Sequence, residues 1–179
     1  CIYRTNLPES GHIVYDSEAF GPVDLATLDE RRVIYLRNYE IGYVSQFLDA
    51  VPRTTAREIV RASAAEAFAD EDAIEEETTR MLEHFDFPKP LWDLYPNTFS
   101  GGEKLRLNIA RAMVRRPRLL LLDEPTASLD NASKVRVRDL IEQLKAGGTT
   151  MLGIFHDLEF MEGVCDREYN MQIGGFVQA

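Results

Sequence analysis

Two adjacent carboxylates follow an apolar run in the second half of the chain. Residues 119–122 are four leucines, and Asp123 and Glu124 come directly after them. An apolar run without polar alternation is typical of a strand buried on both faces, and ligand sites in parallel sheets lie at the carboxyl ends of strands. Asp123 is therefore a candidate ligand for Mg²⁺, directly or through water, and Glu124 is a candidate to orient or deprotonate an attacking water.

A histidine, His156, follows the next predicted buried strand, over residues 149–155, and lies 32 residues after Glu124. A lone histidine is more often structural. However, the end of a parallel strand would place His156 at the same sheet edge as Glu124. We therefore predict that the two residues belong to one site.

A second candidate site is the helix start at Ser100-Gly101-Gly102-Glu103. Ser100 suits an N-cap position, and a helix start presents unpaired N–H groups and the positive end of the helix dipole. Glycines let a phosphate approach that backbone closely. Three apolar residues with helical spacing then follow: Leu105, Ile109 and Met113. Taken alone, a Ser-Gly-Gly run is usually a turn and an Asp-Glu strand end is often a solvated terminus, so the specificity lies in their combination.

The order of these motifs resembles that of the ATP-binding cassette (ABC) ATPases. Ser100 to Glu103 resembles their signature motif, Leu119 to Glu124 their Walker B strand with its catalytic glutamate, and Ser128 to Asp130 their D-loop. The resemblance extends to Gln46 as the Q-loop residue and His156 as the switch histidine. It covers nearly the whole chain.

The resemblance implies an α/β, P-loop NTPase-like fold with a mostly parallel sheet flanked by helices. It implies a single ABC ATPase domain over residues 1–179 with a helical subdomain at about residues 50–115, and ATP and Mg²⁺ as cofactors. The implied site residues are catalytic Glu124, His156 and Gln46, nucleotide-binding Ser100, Gly101, Gly102, Glu103 and Asp130, and metal-binding Asp123 and Gln46.

The resemblance also implies a second cassette as partner, in a head-to-tail dimer. The signature motif of each cassette would then complete the ATP site of the other. Glu103 stands where transporter cassettes commonly have glutamine. Because a carboxylate near phosphates would be repulsive, we expect Glu103 to point along the helix.

Within the family, four runs resemble the PhnL-type ATPases of the bacterial carbon–phosphorus lyase system: residues 43–48, 98–103, 108–111 and 153–157. This similarity implies a role in phosphonate breakdown, in support of alpha-D-ribose 1-methylphosphonate 5-triphosphate formation, with other carbon–phosphorus lyase components as partners. Two alternatives stay open. One is the ATP-binding subunit of an ABC membrane transporter, and the other is a non-catalytic interaction module.

The bulk composition narrows the range of partners. A net charge of −10 argues against general nucleic-acid binding. No apolar run approaches the ~20 residues that cross a membrane, so we expect no direct membrane insertion. The two cysteines, Cys1 and Cys165, lack metal-site spacing and are expected to be unpaired thiols in a reducing cytoplasm.

One expected motif does not occur in the sequence. No run matches Gly-x-x-x-x-Gly-Lys-Ser/Thr, the loop that cradles phosphates in this family, and the first residue is Cys1. We therefore expect a chain truncated before its Walker A loop and unable to hydrolyse ATP alone. The alternative is a protein that naturally lacks the loop.

The remaining elements must position these motifs. Short strands are predicted at 12–15 and 23–25, and a longer one at 41–45. Helices are predicted at 27–39, 55–67, 72–85 and 131–146. Leu28, Val33, Leu36 and Tyr39 are expected on the buried face of the first, and Val135, Leu140, Ile141 and Leu144 on that of the last.

Overall fold

The computed structural model describes residues 1–45, 53–126 and 129–177. Its strands are β1 (Val14–Ser17), β2 (Gly21–Asp24), β3 (Ile41–Val44), β4 (Leu119–Asp123), β5 (Thr150–Ile154), β6 (Glu168–Asn170) and β7 (Gly175–Val177). Its α-helices are α1 (Glu30–Tyr39), α2 (Ala56–Ala64), α3 (Glu71–His84), α4 (Lys89–Trp92), α5 (Gly101–Met113), α6 (Asn131–Ala146) and α7 (Leu158–Met161), with a 3-10 turn at Pro96–Thr98.

A three-stranded parallel sheet of order β3-β4-β5 carries the predicted site at its carboxyl edge. The central strand β4 is buried as its four leucines predict, with Leu120 fully enclosed. The register pairs Tyr43 with Leu121 and Asp123 with Ile154. Two antiparallel hairpins, β1-β2 and β6-β7, complete the described sheets. The expected α/β architecture, a parallel sheet flanked by helices, is confirmed.

The helices between β3 and β4 pack on one another and on the sheet. Helices α2, α3 and α5 share a buried cluster that continues without interruption to β4 and α6. Trp92 lies in this cluster, and its indole N–H donates to the Phe87 carbonyl at 2.8 Å. A smaller cluster, built around Leu36 of α1 and Ile41 of β3, covers another part of the sheet. The start of α5 is therefore fixed by the same core that holds β4.

Three expectations of burial are wrong. Strand β5 is not buried, because it lies at the edge of the described sheet and leaves Leu152 and Ile154 more than half exposed. In α6, Val137 rather than Val135 joins the buried stripe, since Val137 lies three residues before Leu140 and Val135 does not share that face.

Tyr39 is also exposed, although Leu28, Val33 and Leu36 of the same predicted stripe are buried. It is the last residue of α1, and its ring packs on Tyr35, one turn earlier, with ring centres 4.7 Å apart. An aromatic pair on the outer face of the helix thus replaces the expected core contact.

Candidate functional site

Glu124 and His156 are in contact at the carboxyl edge of the parallel sheet. The His156 Nε2 atom lies 2.8 Å from Glu124 Oε1. The backbone N–H of Glu124 donates to the Ile154 carbonyl at 3.0 Å, so the end of β4 is tied to the end of β5. The glutamate side chain is 28% exposed and that of the histidine 79%. The pair is therefore held by the sheet on one side and open to solvent on the other.

Glu124 has a left-handed backbone, with φ of +48°. Such a conformation is uncommon outside glycine and costs roughly 1–2 kcal/mol in a residue with a Cβ atom. Pro125 follows and has no N–H to continue the ladder of hydrogen bonds. The left-handed turn at Glu124 therefore ends β4 at Asp123, and it fixes the direction in which the chain leaves the sheet.

Asp123, the last residue of β4, accepts a hydrogen bond from Tyr43. The Tyr43 hydroxyl lies 2.9 Å from Asp123 Oδ2, and its ring stacks on Tyr3 with centroids 5.0 Å apart. Partial burial and the Asp123 carboxylate raise the pKa of Tyr43. Sequence reasoning gave Tyr43 no role. The pairing follows from the register of the sheet, because Tyr43 is opposite Leu121 and alternation puts Asp123 on the same face.

Helix α5 begins with a reciprocal capping box. The Ser100 N–H and hydroxyl donate to Glu103 Oε2 at 2.7 and 2.8 Å, and the Glu103 N–H donates to Ser100 Oγ at 3.3 Å. The Ser100 hydroxyl and N–H hold the pKa of Glu103 below its usual value. The carboxylate is thus turned back onto its own helix start.

The helix start itself is open to solvent. Ser100 and Gly101 are exposed, and a Cβ atom added at Gly101 would meet no atom of the described residues within 4 Å. The first N–H groups of a helix have no carbonyl in a preceding turn, and here the dipole's positive end coincides with that open surface. These features suit an anion that approaches from outside the chain.

The remaining predicted site residues are placed as follows. Asp130 caps α6, where its Oδ1 accepts from the Ser133 N–H at 2.8 Å, and this bond lowers the pKa of Asp130. Gln46 and Ser128 lie outside the described residues. The residue before Gln46 is anchored, because the Asn108 amide of α5 donates to the Ser45 carbonyl at 2.7 Å. Sequence reasoning missed this link between the signature helix and the end of β3.

The oxygen ligands at this edge suit a Mg²⁺ ion that is bound partly by the protein and partly by substrate phosphates. Asp123 supplies a carboxylate oxygen at this sheet edge, and oxygen is the ligand that Mg²⁺ prefers. Across residues 1–45, 53–126 and 129–177, no group of three or more His, Cys, Asp or Glu residues could hold a metal ion. Mg²⁺ bound by one or two carboxylates together with substrate phosphates needs no such group.

Comparison with known proteins decides the family. The profile of the family described as ABC transporter matches residues 1–127. The chain belongs to the ABC transporter family. The lipoprotein-releasing system ATP-binding protein LolD of Legionella pneumophila is 38% identical over 157 residues, which are 87% of this chain and 66% of LolD. The methionine import ATP-binding protein MetN of Photobacterium profundum is 32% identical over 168 residues, 93% of this chain and 47% of MetN.

The solved structures of ABC cassettes share the fold. The ATP-binding cassette MJ0796, in a dimeric post-hydrolysis state bound to ADP and Pi, superposes with a TM-score of 0.78 and 23% identity, over 90% of this chain and 69% of MJ0796. The chain spans about half to two thirds of the length of the curated relatives named above. In the part of this ABC chain that the structure describes, no helix is long and apolar enough to cross a membrane.

Proposed function

We propose that the full-length gene product is the ATP-hydrolysing component of an ABC transporter, and that this chain supplies its catalytic edge and signature helix. The contact of Glu124 with His156, at 2.8 Å beside the end of β4, is the observation that carries the proposal. Phosphoryl transfer to water needs a positioned base, and the Glu124 carboxylate at this sheet edge supports that role.

Each residue at the edge has a distinct proposed role. Glu124 orients the attacking water and accepts its proton, while His156 steadies the Glu124 carboxylate and contacts the γ-phosphate. Asp123, whose Oδ2 is held by Tyr43, presents its carboxylate to the metal. When bound, Mg²⁺ neutralises charge on the phosphates. Gln46 is proposed as a further ligand to the metal or the water.

The signature helix is proposed to act on a nucleotide held by a second cassette. Among the described residues, none lies where a side chain on Gly101 would begin, which supports the approach of a phosphate from outside the chain. The dimeric state of MJ0796 supports a cassette pair as the working unit. Asp130 is proposed to lie at the same interface, directly before α6.

The transporter reading is preferred to the phosphonate reading. The relatives named above are ATP-binding proteins of lipoprotein-releasing and methionine import systems. Four short runs carry the similarity to carbon–phosphorus lyase ATPases, whereas the transporter relatives match across most of the chain. The expected partner is therefore a membrane component of a transporter, with a cytoplasmic position for this chain.

The proposed role of Glu124 is tested by Glu124→Gln in the full-length gene product. Because glutamine keeps the shape but cannot accept the proton, we expect kcat for ATP hydrolysis to fall by about 10²–10⁴-fold while ATP binding is retained. Glu76→Gln, at an exposed position of α3, is the matched control and should hydrolyse ATP normally. Undiminished hydrolysis by Glu124→Gln would refute the assignment.

A deletion strain separates the transporter from the phosphonate role. If the protein serves a transporter, the strain should grow normally on methylphosphonate as sole phosphorus source, and the tagged protein should copurify with an integral membrane protein. Loss of growth that is restored by the wild-type gene but not by Glu124→Gln would instead favour the carbon–phosphorus lyase pathway. Failure of the full-length gene product to bind ATP would favour the non-catalytic module.

A further inference from the structure

An ion pair lies next to His156 and ties its segment to α6. The Lys134 ammonium is 2.5 Å from Asp157 Oδ2, and both side chains are about three-quarters buried. The other carboxylate oxygen, Oδ1, accepts from the Phe160 N–H at 3.0 Å, so Asp157 also caps the short helix α7. Both oxygens of one carboxylate are therefore used to hold the chain that follows His156.

This anchoring bears on His156 because the histidine side chain is largely exposed. Its ring is 79% exposed, and its described polar contact is with Glu124. Exposed side chains change rotamer freely, so the positions that this ring can reach are limited mainly by where its backbone is held. On the strand side, β5 pairs with β4 up to Ile154, and on the other side Asp157 is fixed by Lys134.

Lys134 connects helix α6 to the segment that carries His156. It lies in the first turn of α6, where its N–H donates to the carbonyl of Asp130, the N-cap residue. The helix is then fixed to the core by Val137 and Leu140, both buried. The Lys134 side chain therefore joins the start of α6 to the segment that carries His156.

We infer that Lys134, through its ion pair with Asp157, is a positioning residue that sets the reach of His156 to Glu124. The inference rests on the proposed function of the Glu124–His156 pair. A displacement near 1 Å at a reacting group can cost up to about 100-fold in rate. A control lysine of similar exposure on the same helix also loses an ion pair when it is replaced, so the difference between the two variants should appear in kcat.

The test compares Lys134→Met with a matched lysine on the same helix. Lys145, near the other end of α6, pairs instead with Asp166 at 3.1 Å. In the full-length gene product, we expect Lys134→Met to lower kcat for ATP hydrolysis about tenfold. Its dissociation constant for ATP and its melting temperature should match those of Lys145→Met. Lys134→Arg, which keeps the cation, should restore at least half of kcat.

A double-variant cycle shows whether Lys134 acts through His156. In a His156→Ala background, measured by release of radiolabelled phosphate, Lys134→Met should change the residual rate by less than about twofold. An equal tenfold loss in both backgrounds would overturn the inference, as would a kcat for Lys134→Met equal to that of Lys145→Met. Asp157→Asn, which keeps the cap but not the charge, gives the same test should Lys134→Met fold poorly.

Failure of this inference is separate from failure of the proposed function. If Glu124→Gln abolishes hydrolysis and Lys134→Met does not lower it, the catalytic pair stands and only the positioning role is lost. If Glu124→Gln hydrolyses ATP normally, the function assigned to the edge is wrong whatever Lys134 does.

Discussion

Two helices in this chain begin with nearly the same local structure. Helix α2 begins after Thr55 with a capping box to Glu58, and helix α5 begins after Ser100 with a capping box to Glu103. In both boxes the cap N–H to carboxylate distance is 2.7 Å, and the return bond to the hydroxyl is 3.3 Å. The capping chemistry therefore does not distinguish a structural helix start from a candidate phosphate site.

The difference lies in the residues directly after the cap. At α2, Ala56 is fully buried and its N–H donates to the Leu94 carbonyl at 3.1 Å. At α5, Gly101 is exposed, and no described residue occupies the space where its side chain would begin. At the start of α2 the Ala56 N–H is already bonded within the chain, whereas the exposed start of α5 is accessible to a ligand from outside. A helix start becomes a candidate anion site through what is left uncovered.

The largest expected effect on ATP hydrolysis comes from placing a long side chain at the cap of α5. Ser100→Arg in the full-length gene product should lower ATP hydrolysis by about 10²–10³-fold, because the side chain fills the surface where the partner's phosphate would bind. ATP binding to the variant's own site should persist. Steady-state hydrolysis and nucleotide affinity measure the two quantities.

Thr55→Arg is the matched control for that change. It removes the same kind of cap at a start that is covered by Leu94, so only stability should fall. ATP-driven dimerisation of Ser100→Arg at wild-type levels would contradict the role given to the α5 start.

A smaller pair of changes removes only the hydroxyls. Ser100→Ala and Thr55→Ala should each lower the free energy of unfolding by about 1 kcal/mol, since each deletes one capping hydrogen bond. Only Ser100→Ala should also lower kcat. Chemical denaturation and hydrolysis assays on both variants separate the shared structural effect from the site-specific one. A kcat loss of equal size in both variants would mean that α2 and α5 do not differ in function.

The smallest expected effect is a dependence on acid that both starts share. Hydrogen bonds from Thr55 lower the pKa of Glu58, and those from Ser100 lower the pKa of Glu103, in each case below the ordinary 4.5. Their contribution to stability is present above pH 4.5 and is lost as pH falls through the lowered values.

Glutamine at either position keeps an acceptor but does not titrate. Glu58→Gln and Glu103→Gln should therefore each reduce the loss of stability as the pH falls below 4.5, by similar amounts. Urea unfolding across that range measures the slope. A reduced slope in one variant alone would show that the two boxes differ in charge stabilisation despite their matching distances.

The sequence predicted the parallel sheet and the edge residues because their signals are local. Four leucines before Asp123 are a strong strand signal. The apolar stripe and the glycine that follows it at 147 predicted a helix over residues 131–146, and α6 has these bounds. The contact of Glu124 with His156 also follows from strand order, once β4 and β5 are neighbours.

Other features could not be predicted because they depend on neighbours in space. The apolar content of β5 does not reveal that it lies at an edge of the described sheet. Asp157 was part of a recognised run, but its partner Lys134 is 23 residues earlier and gives no local signal. The roles of Gln46, Asp130 and the 50–115 helical region stay predictions.

The left-handed backbone at Glu124 also limits how this protein can evolve or be engineered. Glycine is the residue that commonly relieves such a position, and it would be the obvious choice in a search for stability. Here it would delete the carboxylate that contacts His156. Selection for stability therefore favours glycine at position 124, while selection for turnover favours glutamate. Stabilising changes must be sought elsewhere in the chain.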